Sequence, residues 1–260
     1  MCFGKKQKKL FSDNDETAKS KPKSEEKPKE NTTSNSTQPP QASTSEPAAA
    51  TTTSPASSTT PKVAIIIYTM YGHIAKMAES VKSGIEAAGG SASIFQISET
   101  LSAELLTALH APSKPDYPII TADKLPKYNA FLFGIPTRYG NFPSQWKAFW
   151  DTTGELWGSG ALAGKYAGVF VSTGTPGGGQ EATAMNAMST LTHHGMLYVP
   201  LGYSLTFPQL TNLDEVHGGS PWGAGTFAGG DGSRQPSALE LEIASLQGKQ
   251  FYGIVSKVSF

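Results

Sequence analysis

The stretch Val-Ala-Ile-Ile-Ile-Tyr at 63–68 is followed directly by Thr-Met-Tyr-Gly-His-Ile at 69–74. An unbroken apolar run of this length predicts a strand that is buried on both faces of a parallel sheet. The apolar residues that follow recur at helical spacing until Gly89 and Gly90 end the pattern. This order places the free N–H groups of a helix N-terminus at the carboxyl end of a strand, where phosphates bind. The stretch therefore predicts a nucleotide-binding or flavin-binding protein.

Apolar runs and helical patterns continue to alternate along the rest of the chain. Further strands are predicted at 93–97, 130–135, 166–172 and 196–199, and further helices at 101–110, 144–156, 181–193 and 237–257. Such alternation predicts an α/β fold in which helices cover both faces of a parallel sheet.

Composition separates the chain into two parts. Between Phe11 and Tyr68 there is no aromatic residue, and Lys, Glu, Ser, Thr, Pro and Ala dominate. Such a segment buries too little apolar surface to offset its ordering entropy, so residues 1–61 are predicted to be a disordered tail. Residues 62–260 have the length of one domain. The whole chain has 21 Lys+Arg and 21 Asp+Glu, a balance that argues against a general nucleic-acid binder.

Three strands of the predicted sheet end in unusual loops, which should meet at one edge because the strands are parallel. The first loop, 69–74, has no lysine, is too short for a nucleoside-triphosphate loop and lacks the dinucleotide glycine spacing. These features favour a monophosphate held by neutral donors, and the alternative is an ordinary strand-to-helix turn.

The second loop contains Thr137, Arg138 and Tyr139, whose main chain could meet the polar edge of a flat ring while the tyrosine packs beside it. The alternative is a surface turn. The third loop, 172–179, is rich in glycine, which usually indicates close approach to a ligand. The alternative for this loop is a flexible connector.

Two further features carry open alternatives. His193 and His194 lie at a predicted helix end, where one imidazole either caps the helix or faces the carbonyl edge of a ring on which charge develops. Trp157 is either a core residue or an aromatic lid over a planar substrate.

Several motifs in a fixed order resemble the WrbA family of flavodoxin-like NAD(P)H:quinone oxidoreductases, from about residue 62 almost to the end of the chain. The motifs are the 69–74 loop, Pro-Thr-Arg-Tyr-Gly at 136–140, Gly-Glu-Leu-Trp-Gly-Ser-Gly-Ala at 154–161, Ser-Thr-Gly-Thr at 172–175 with its glycines, His-His-Gly-Met at 193–196 and Gly-Gly-Asp-Gly-Ser-Arg-Gln-Pro-Ser at 229–237. The resemblance implies a flavodoxin-like five-stranded parallel sheet, one FMN per subunit and a homotetramer.

The resemblance also implies roles for individual residues. Thr69, Met70, Tyr71, Gly72, His73 and Ile74 would wrap the FMN phosphate. The ring would lie between one set of residues, Thr137, Arg138 and Tyr139, and another set, Ser172, Thr173, Gly174, Thr175, Gly177 and Gly178. His193 would contact the flavin as the catalytic residue, Tyr71 would face the nicotinamide and Trp157 the quinone. Pro176 lengthens the glycine loop by one residue relative to bacterial members, which affects the assignment of Gly177 and Gly178.

The activity that the resemblance implies is ping-pong: NAD(P)H delivers a hydride to flavin N5 and leaves, and a quinone then takes both electrons. A role in protection against oxidative stress goes with this activity. Other interpretations are a flavin reductase that uses other acceptors, a flavodoxin-like electron carrier, and a membrane-associated flavin-bearing scaffold with little turnover. Balanced charge and the presence of both Tyr71 and Trp157 favour an enzyme over a carrier.

The first eleven residues are not explained by a flavin domain. Cys2 is the only cysteine, and four lysines follow it before Phe11. An acyl chain on Cys2 and a basic cluster would together supply the two signals that stable anchoring needs. We expect a cytoplasmic protein that is anchored to the cytosolic face of the plasma membrane, and the alternative is a leader without function.

Overall fold

The computed structural model describes residues 60–260. Six strands form one sheet: β1 (Val63–Ile67), β2 (Ala92–Gln96), β3 (Ala130–Pro136), β4 (Tyr166–Thr173), β5 (Leu197–Tyr198) and β6 (Gly225–Phe227). Seven α-helices accompany them in this part of the chain: α1 (His73–Ala87), α2 (Ala103–Ala108), α3 (Ser144–Asp151), α4 (Gly154–Gly158), α5 (Gln180–His193), α6 (Phe207–Leu210) and α7 (Ala238–Val255). A short 3₁₀ helix spans Ala122–Lys127.

The strands are parallel and follow the order β2-β1-β3-β4-β5. β6 shares the fifth strand position with β5, since β5 pairs with the first residues of β4 and β6 pairs with Val171–Thr173 at its other end. The predicted α/β fold, a five-stranded parallel sheet with helices on both faces, is confirmed.

Alternate residues of β1 enter two separate hydrophobic cores. Ile65 and Ile67 pack in the core that contains the buried residues of α1 and α7. Ile66 packs on the opposite face with Phe133 and Trp146, in the core that α3 and α5 cover. Both cores bury their strand residues almost completely, which explains why this strand has no polar residue in its interior.

One predicted helix is interrupted. The pattern at 144–156 predicts a single helix, but α3 ends at Asp151 and α4 begins at Gly154. The side-chain hydroxyl of Thr152 donates to the carbonyl of Phe149 at 2.7 Å, and that of Thr153 to the carbonyl of Trp150 at 2.7 Å. Threonine hydroxyls that bond to main-chain carbonyls compete with helical bonding, so this pair marks the break.

The predicted tail, including Cys2, falls outside the described residues apart from its last two positions. Within residues 60–260, no helix has the length and apolar character needed to cross a membrane.

Candidate active site

The three loops that follow β1, β3 and β4 meet at the carboxyl edge of the sheet. The N–H of Tyr68 donates to the carbonyl of Gly134 in β3 at 3.3 Å, so the first loop starts beside the last residues of β3, from which the second loop continues. The N–H of Thr137 donates to the carbonyl of Ser172 at 2.9 Å, which joins the second loop to the third. The expectation that the loops share one edge is therefore confirmed.

The 69–74 turn presents a set of main-chain donors. The hydroxyl of Thr69 accepts from the N–H of Gly72 at 3.0 Å and so closes the turn. The N–H groups of Met70 and Tyr71 have no acceptor among residues 60–260. α1 begins at His73, and the first N–H groups of a helix lack partners within it. The turn therefore offers several N–H groups and a helix dipole to one anion, which suits a phosphate.

A charged pair lies behind this turn. The ammonium of Lys114 donates to the carbonyl of Thr69 at 2.6 Å and pairs with the carboxylate of Glu99 at 2.7 Å. Burial raises the pKa of Glu99, but hydrogen bonds from Lys114 and from the N–H groups of Leu101 and Thr100 outweigh burial and leave that pKa below its ordinary value. Sequence analysis missed this pair because its members lie 25 residues or more from the turn and match no motif.

The second loop is a tight two-residue turn. The N–H of Arg138 donates to the carbonyl of Asn141 at 2.9 Å, and the N–H of Asn141 donates back at 3.0 Å. Tyr139 and Gly140, the two central residues, have φ values of 56° and 72°, as a type I′ turn requires. A tyrosine is strained at positive φ, and here its ring is fully exposed (104%). The loop thus holds an aromatic ring out into solvent beside the other two loops.

The third loop is compact. The hydroxyl of Thr173 donates to the carbonyl of Thr175 at 2.9 Å, and the N–H of Gly178 donates to the same carbonyl at 2.9 Å. A Cβ on Gly178 would lie 2.8 Å from that carbonyl oxygen and 2.9 Å from the Cβ of Thr173, so only glycine fits. The structure therefore favours a defined turn over a flexible connector.

A fourth loop, 228–235, joins the other three. The N–H of Ala228 donates to the carbonyl of Thr173 at 2.8 Å. Nε2 of His73, in the first turn of α1, lies 2.8 Å from the carbonyl oxygen of Arg234. This loop therefore contacts both the phosphate turn and the glycine loop.

A buried carboxylate holds the fourth loop in place. Glu240 is completely buried, and the guanidinium of Arg234 donates to it at 2.8 Å. Its other donors are the N–H groups of Gly218, Phe227 and Ser237 and the hydroxyl of Thr226. Burial raises the pKa of Glu240, but the bonds from Arg234 and the other donors outweigh burial and lower that pKa overall. The Ser237-x-x-Glu240 spacing of a capping box was the available sequence signal.

His193 and Trp157 are not brought to these loops within one chain. α5 starts next to the third loop and His193 is its last residue, so about 20 Å of helix separate them. Trp157 lies in α4, which starts directly after Thr153. The hydroxyl of Thr153 is 3.0 Å from Nε2 of His194, so α4 starts beside the end of α5. His193 and Trp157 are thus exposed near the opposite edge of the sheet, and their predicted roles stay predictions.

His194 is buried, whereas the neighbouring His193 is exposed. Its ring packs against Trp150 with 5.5 Å between ring centroids, and burial and the neighbouring His193 lower its pKa. We infer that His194 belongs to the core, and His193 is the histidine that can contact another molecule.

The chain matches known proteins along the part that forms this site. Residues 61–207 match the family model described as NADPH-dependent FMN reductase. Protoplast secreted protein 2 of Saccharomyces cerevisiae is 68% identical over 76% of this chain and 99% of its own length. The NAD(P)H quinone oxidoreductase PST3 of Candida albicans is 67% identical over 76% of this chain and 99% of its own length. A WrbA-like flavodoxin structure from Agrobacterium tumefaciens shares the fold, with a TM-score of 0.52 and 22% identity over 76% of this chain and 99% of that chain.

The sheet order, the four loops and these likenesses define a flavodoxin-like oxidoreductase. The chain belongs to the NADPH-dependent FMN reductase family. The predicted FMN cofactor and the predicted class, an NAD(P)H-dependent oxidoreductase, are thereby confirmed. The unpartnered N–H groups of the 69–74 turn fit the phosphate of FMN. The turn itself contains no lysine, as expected for a loop that binds a monophosphate through neutral donors.

Proposed function

We propose that the protein reduces quinones to hydroquinones with electrons from NAD(P)H, through its FMN, and that this activity protects cells against oxidative stress. The observation that carries the proposal is the turn at 69–74, whose free N–H groups suit the FMN phosphate. The names of relatives such as PST3, to which this chain is 67% identical over 197 residues, support a quinone as acceptor.

The residues of this site would bind and orient the reactants and would supply no strong acid or base. FMN would be held by the turn at 69–74 and flanked by Thr137–Tyr139 and by the 172–178 loop, and when bound it supplies two-electron redox chemistry. The hydroxyl of Tyr71 donates to the carbonyl of Leu109 at 3.0 Å, and the side chain remains partly exposed. That hydrogen bond fixes the ring as a surface against which a nicotinamide can stack.

We propose a homotetramer in which Trp157 and His193 serve the flavin site of a neighbouring copy. Both side chains are exposed, and both lie near the sheet edge opposite the loops of their own chain. An imidazole from a second copy would face the ring edge where charge develops. Light scattering on the purified protein tests the tetramer. Trp157→Ala then tests the composite site, since it should raise KM for the quinone and leave the FMN content unchanged.

We propose that the amino-terminal tail anchors the enzyme to the cytosolic face of the plasma membrane through an acyl chain on Cys2. Support comes from the four lysines that follow within nine residues. Fractionation of cells that express the wild type or Cys2→Ser tests the anchor. The wild type should be found with membranes and the variant in the cytosol, and equal cytosolic distribution of both refutes it.

One preparation of the full chain tests the central proposal. The protein should be yellow with about one FMN per chain, and NAD(P)H oxidation should accelerate when benzoquinone is added. Colourless protein that takes up no FMN refutes the cofactor. Yellow protein without quinone-dependent turnover identifies an electron carrier or a scaffold in place of an enzyme.

A further inference from the structure

Lys114 lies in the connection between β2 and β3 and reaches the backbone of the phosphate turn. Its ammonium donates to the carbonyl of Thr69 at 2.6 Å, a contact between residues 45 positions apart in the chain. The side chain is about three-quarters buried, with 26% of its surface exposed. A lysine that is held this far from solvent against a main-chain oxygen constrains the direction of that oxygen.

The constraint passes to the next N–H group. A peptide unit is planar and trans, so the carbonyl of Thr69 and the N–H of Met70 point in opposite directions. Because Lys114 holds the carbonyl on its own side of the turn, the N–H of Met70 points to the other side. No residue in the described part of the chain accepts a hydrogen bond from that N–H. Lys114 thus orients one of the donors on which phosphate binding depends.

Lys114 is itself held on several sides. The carboxylate of Glu99 lies 2.7 Å from its ammonium, and the ring of Tyr68 lies 4.3 Å below it. Glu99 in turn accepts hydrogen bonds from the hydroxyl of Tyr68 at 3.0 Å and from Nε2 of Gln145 at 3.3 Å. Since Glu99 balances the charge of Lys114, the pair contributes geometry more than net positive potential.

We propose that Lys114 is a positioning residue that sets the Thr69–Met70 peptide for the cofactor phosphate and so makes the protein select FMN over riboflavin. The proposal rests on the FMN site described above. Riboflavin has the same ring and ribityl chain but no phosphate. Its affinity therefore measures the contacts of the ring and the chain, without the phosphate contacts that Lys114 arranges.

The test compares the two flavins on one set of variants of the full chain, stripped of flavin. Quenching of flavin fluorescence gives the Kd for FMN and for riboflavin. Lys114→Met should weaken FMN binding about tenfold, the effect of one misdirected bond to a charged group, and change riboflavin binding less than about twofold. Lys114→Arg keeps a cationic donor and should stay within about threefold of the wild type for FMN.

Lys147→Met is the matched control. Lys147 lies on α3 and forms an exposed ion pair with Asp151, away from the turn, so the same substitution there should leave both affinities unchanged. If Lys114→Met does not fold, as judged by circular dichroism, Lys114→Ala replaces it with the same expectation.

Three results would overturn the proposal: unchanged FMN affinity in the folded Lys114 variant, equal losses for FMN and riboflavin, or an Arg variant as weak as the Met variant. A wild type that binds neither flavin is a different failure, because it refutes the cofactor site itself. The two failures are therefore distinguishable within one experiment.

Discussion

Glu240 and Glu99 anchor two loops at the same edge of the sheet, but they are buried to different depths. Each carboxylate accepts hydrogen bonds from main-chain N–H groups, from a hydroxyl and from a cation. The Glu240 side chain has no exposed surface, and 19% of the Glu99 side chain is exposed. The partners differ as well, since Arg234 presents a planar guanidinium and Lys114 a single ammonium.

This difference separates a role in stability from a role in geometry. A fully buried carboxylate is tolerable only while all its partners remain, so loss of one leaves an uncompensated charge. A carboxylate at the rim can recover part of its hydration when a partner is lost. We therefore expect the Glu240 pair to support the fold of the 216–237 segment, and the Glu99 pair to set the shape of the phosphate turn at a smaller cost in stability.

The largest effect is expected from Arg234→Met, which leaves Glu240 buried without its cation. The free energy of unfolding should fall by about 3–5 kcal/mol. Urea unfolding followed by circular dichroism measures the change. Lys147→Met, which removes an exposed ion pair, should cost less than about 1 kcal/mol and serves as the control. Similar losses in both variants would contradict the assigned depth of the Glu240 pair.

The Glu99 pair should give a smaller loss. Glu99→Gln keeps the shape of the side chain but weakens its hydrogen bonds with Lys114 and Tyr68. The free energy of unfolding should fall by about 1–2 kcal/mol, because water still reaches part of the site. The same urea experiment measures it, and a loss as large as that of Arg234→Met would remove the distinction between the two carboxylates.

The dependence of the free energy of unfolding on pH, in the acid range, offers a third comparison of the two carboxylates. Both carboxylates have a pKa in the folded protein below their ordinary value of 4.5. Each therefore adds stability above pH 4.5, and that stability is lost as pH falls through the lowered folded pKa. Between pH 5 and pH 3 the wild type should lose stability, and Glu240→Gln and Glu99→Gln should each flatten this decline. A decline unchanged in both variants would mean that other groups cause it.

The smallest effect lies at the opposite edge of the sheet. Burial and His193 lower the pKa of His194 from its ordinary value of 6.5, so folding favours the neutral ring. The contribution of His194 to the stability should be fully present above pH 6.5. It should decrease below that pH, because the unfolded chain takes up a proton on this histidine more readily than the folded chain does. Between pH 7 and pH 5.5 the loss should be small, and it should disappear in His194→Gln. Thermal unfolding at the two pH values checks it, and Glu99→Gln should retain the loss.

Local patterns sufficed to predict most of the sheet and its loops. The apolar runs of β1, β3 and β4 predict buried strands, and the turn at 69–74 lies where the sequence places it. β6 escaped prediction because Gly225–Phe227 is only three residues long and follows a glycine-rich stretch without periodicity. The break at Thr152 and Thr153 was missed since it depends on hydroxyl bonds that helical spacing does not reveal.

The support of the site was less predictable than its loops. Glu99 and Lys114 belong to a connection without a motif, and only the folded chain brings them to Thr69. The separation of His193 from the loops follows from the direction of α5, which residue identity alone does not give. Short-range chemistry could be predicted here, and contacts between distant segments could not.

The shared fifth strand position has a consequence for the order in which a ribosome releases the chain. β5 is complete at Tyr198, but β6 ends at Phe227 and the carboxylate of Glu240 follows it. During synthesis, the first four strands and the phosphate turn can emerge while the edge of β4 beside Val171–Thr173 still lacks its partner. A nascent chain that stalls before residue 225 therefore carries an open sheet edge, and one that stalls before residue 240 lacks the carboxylate that holds the fourth loop.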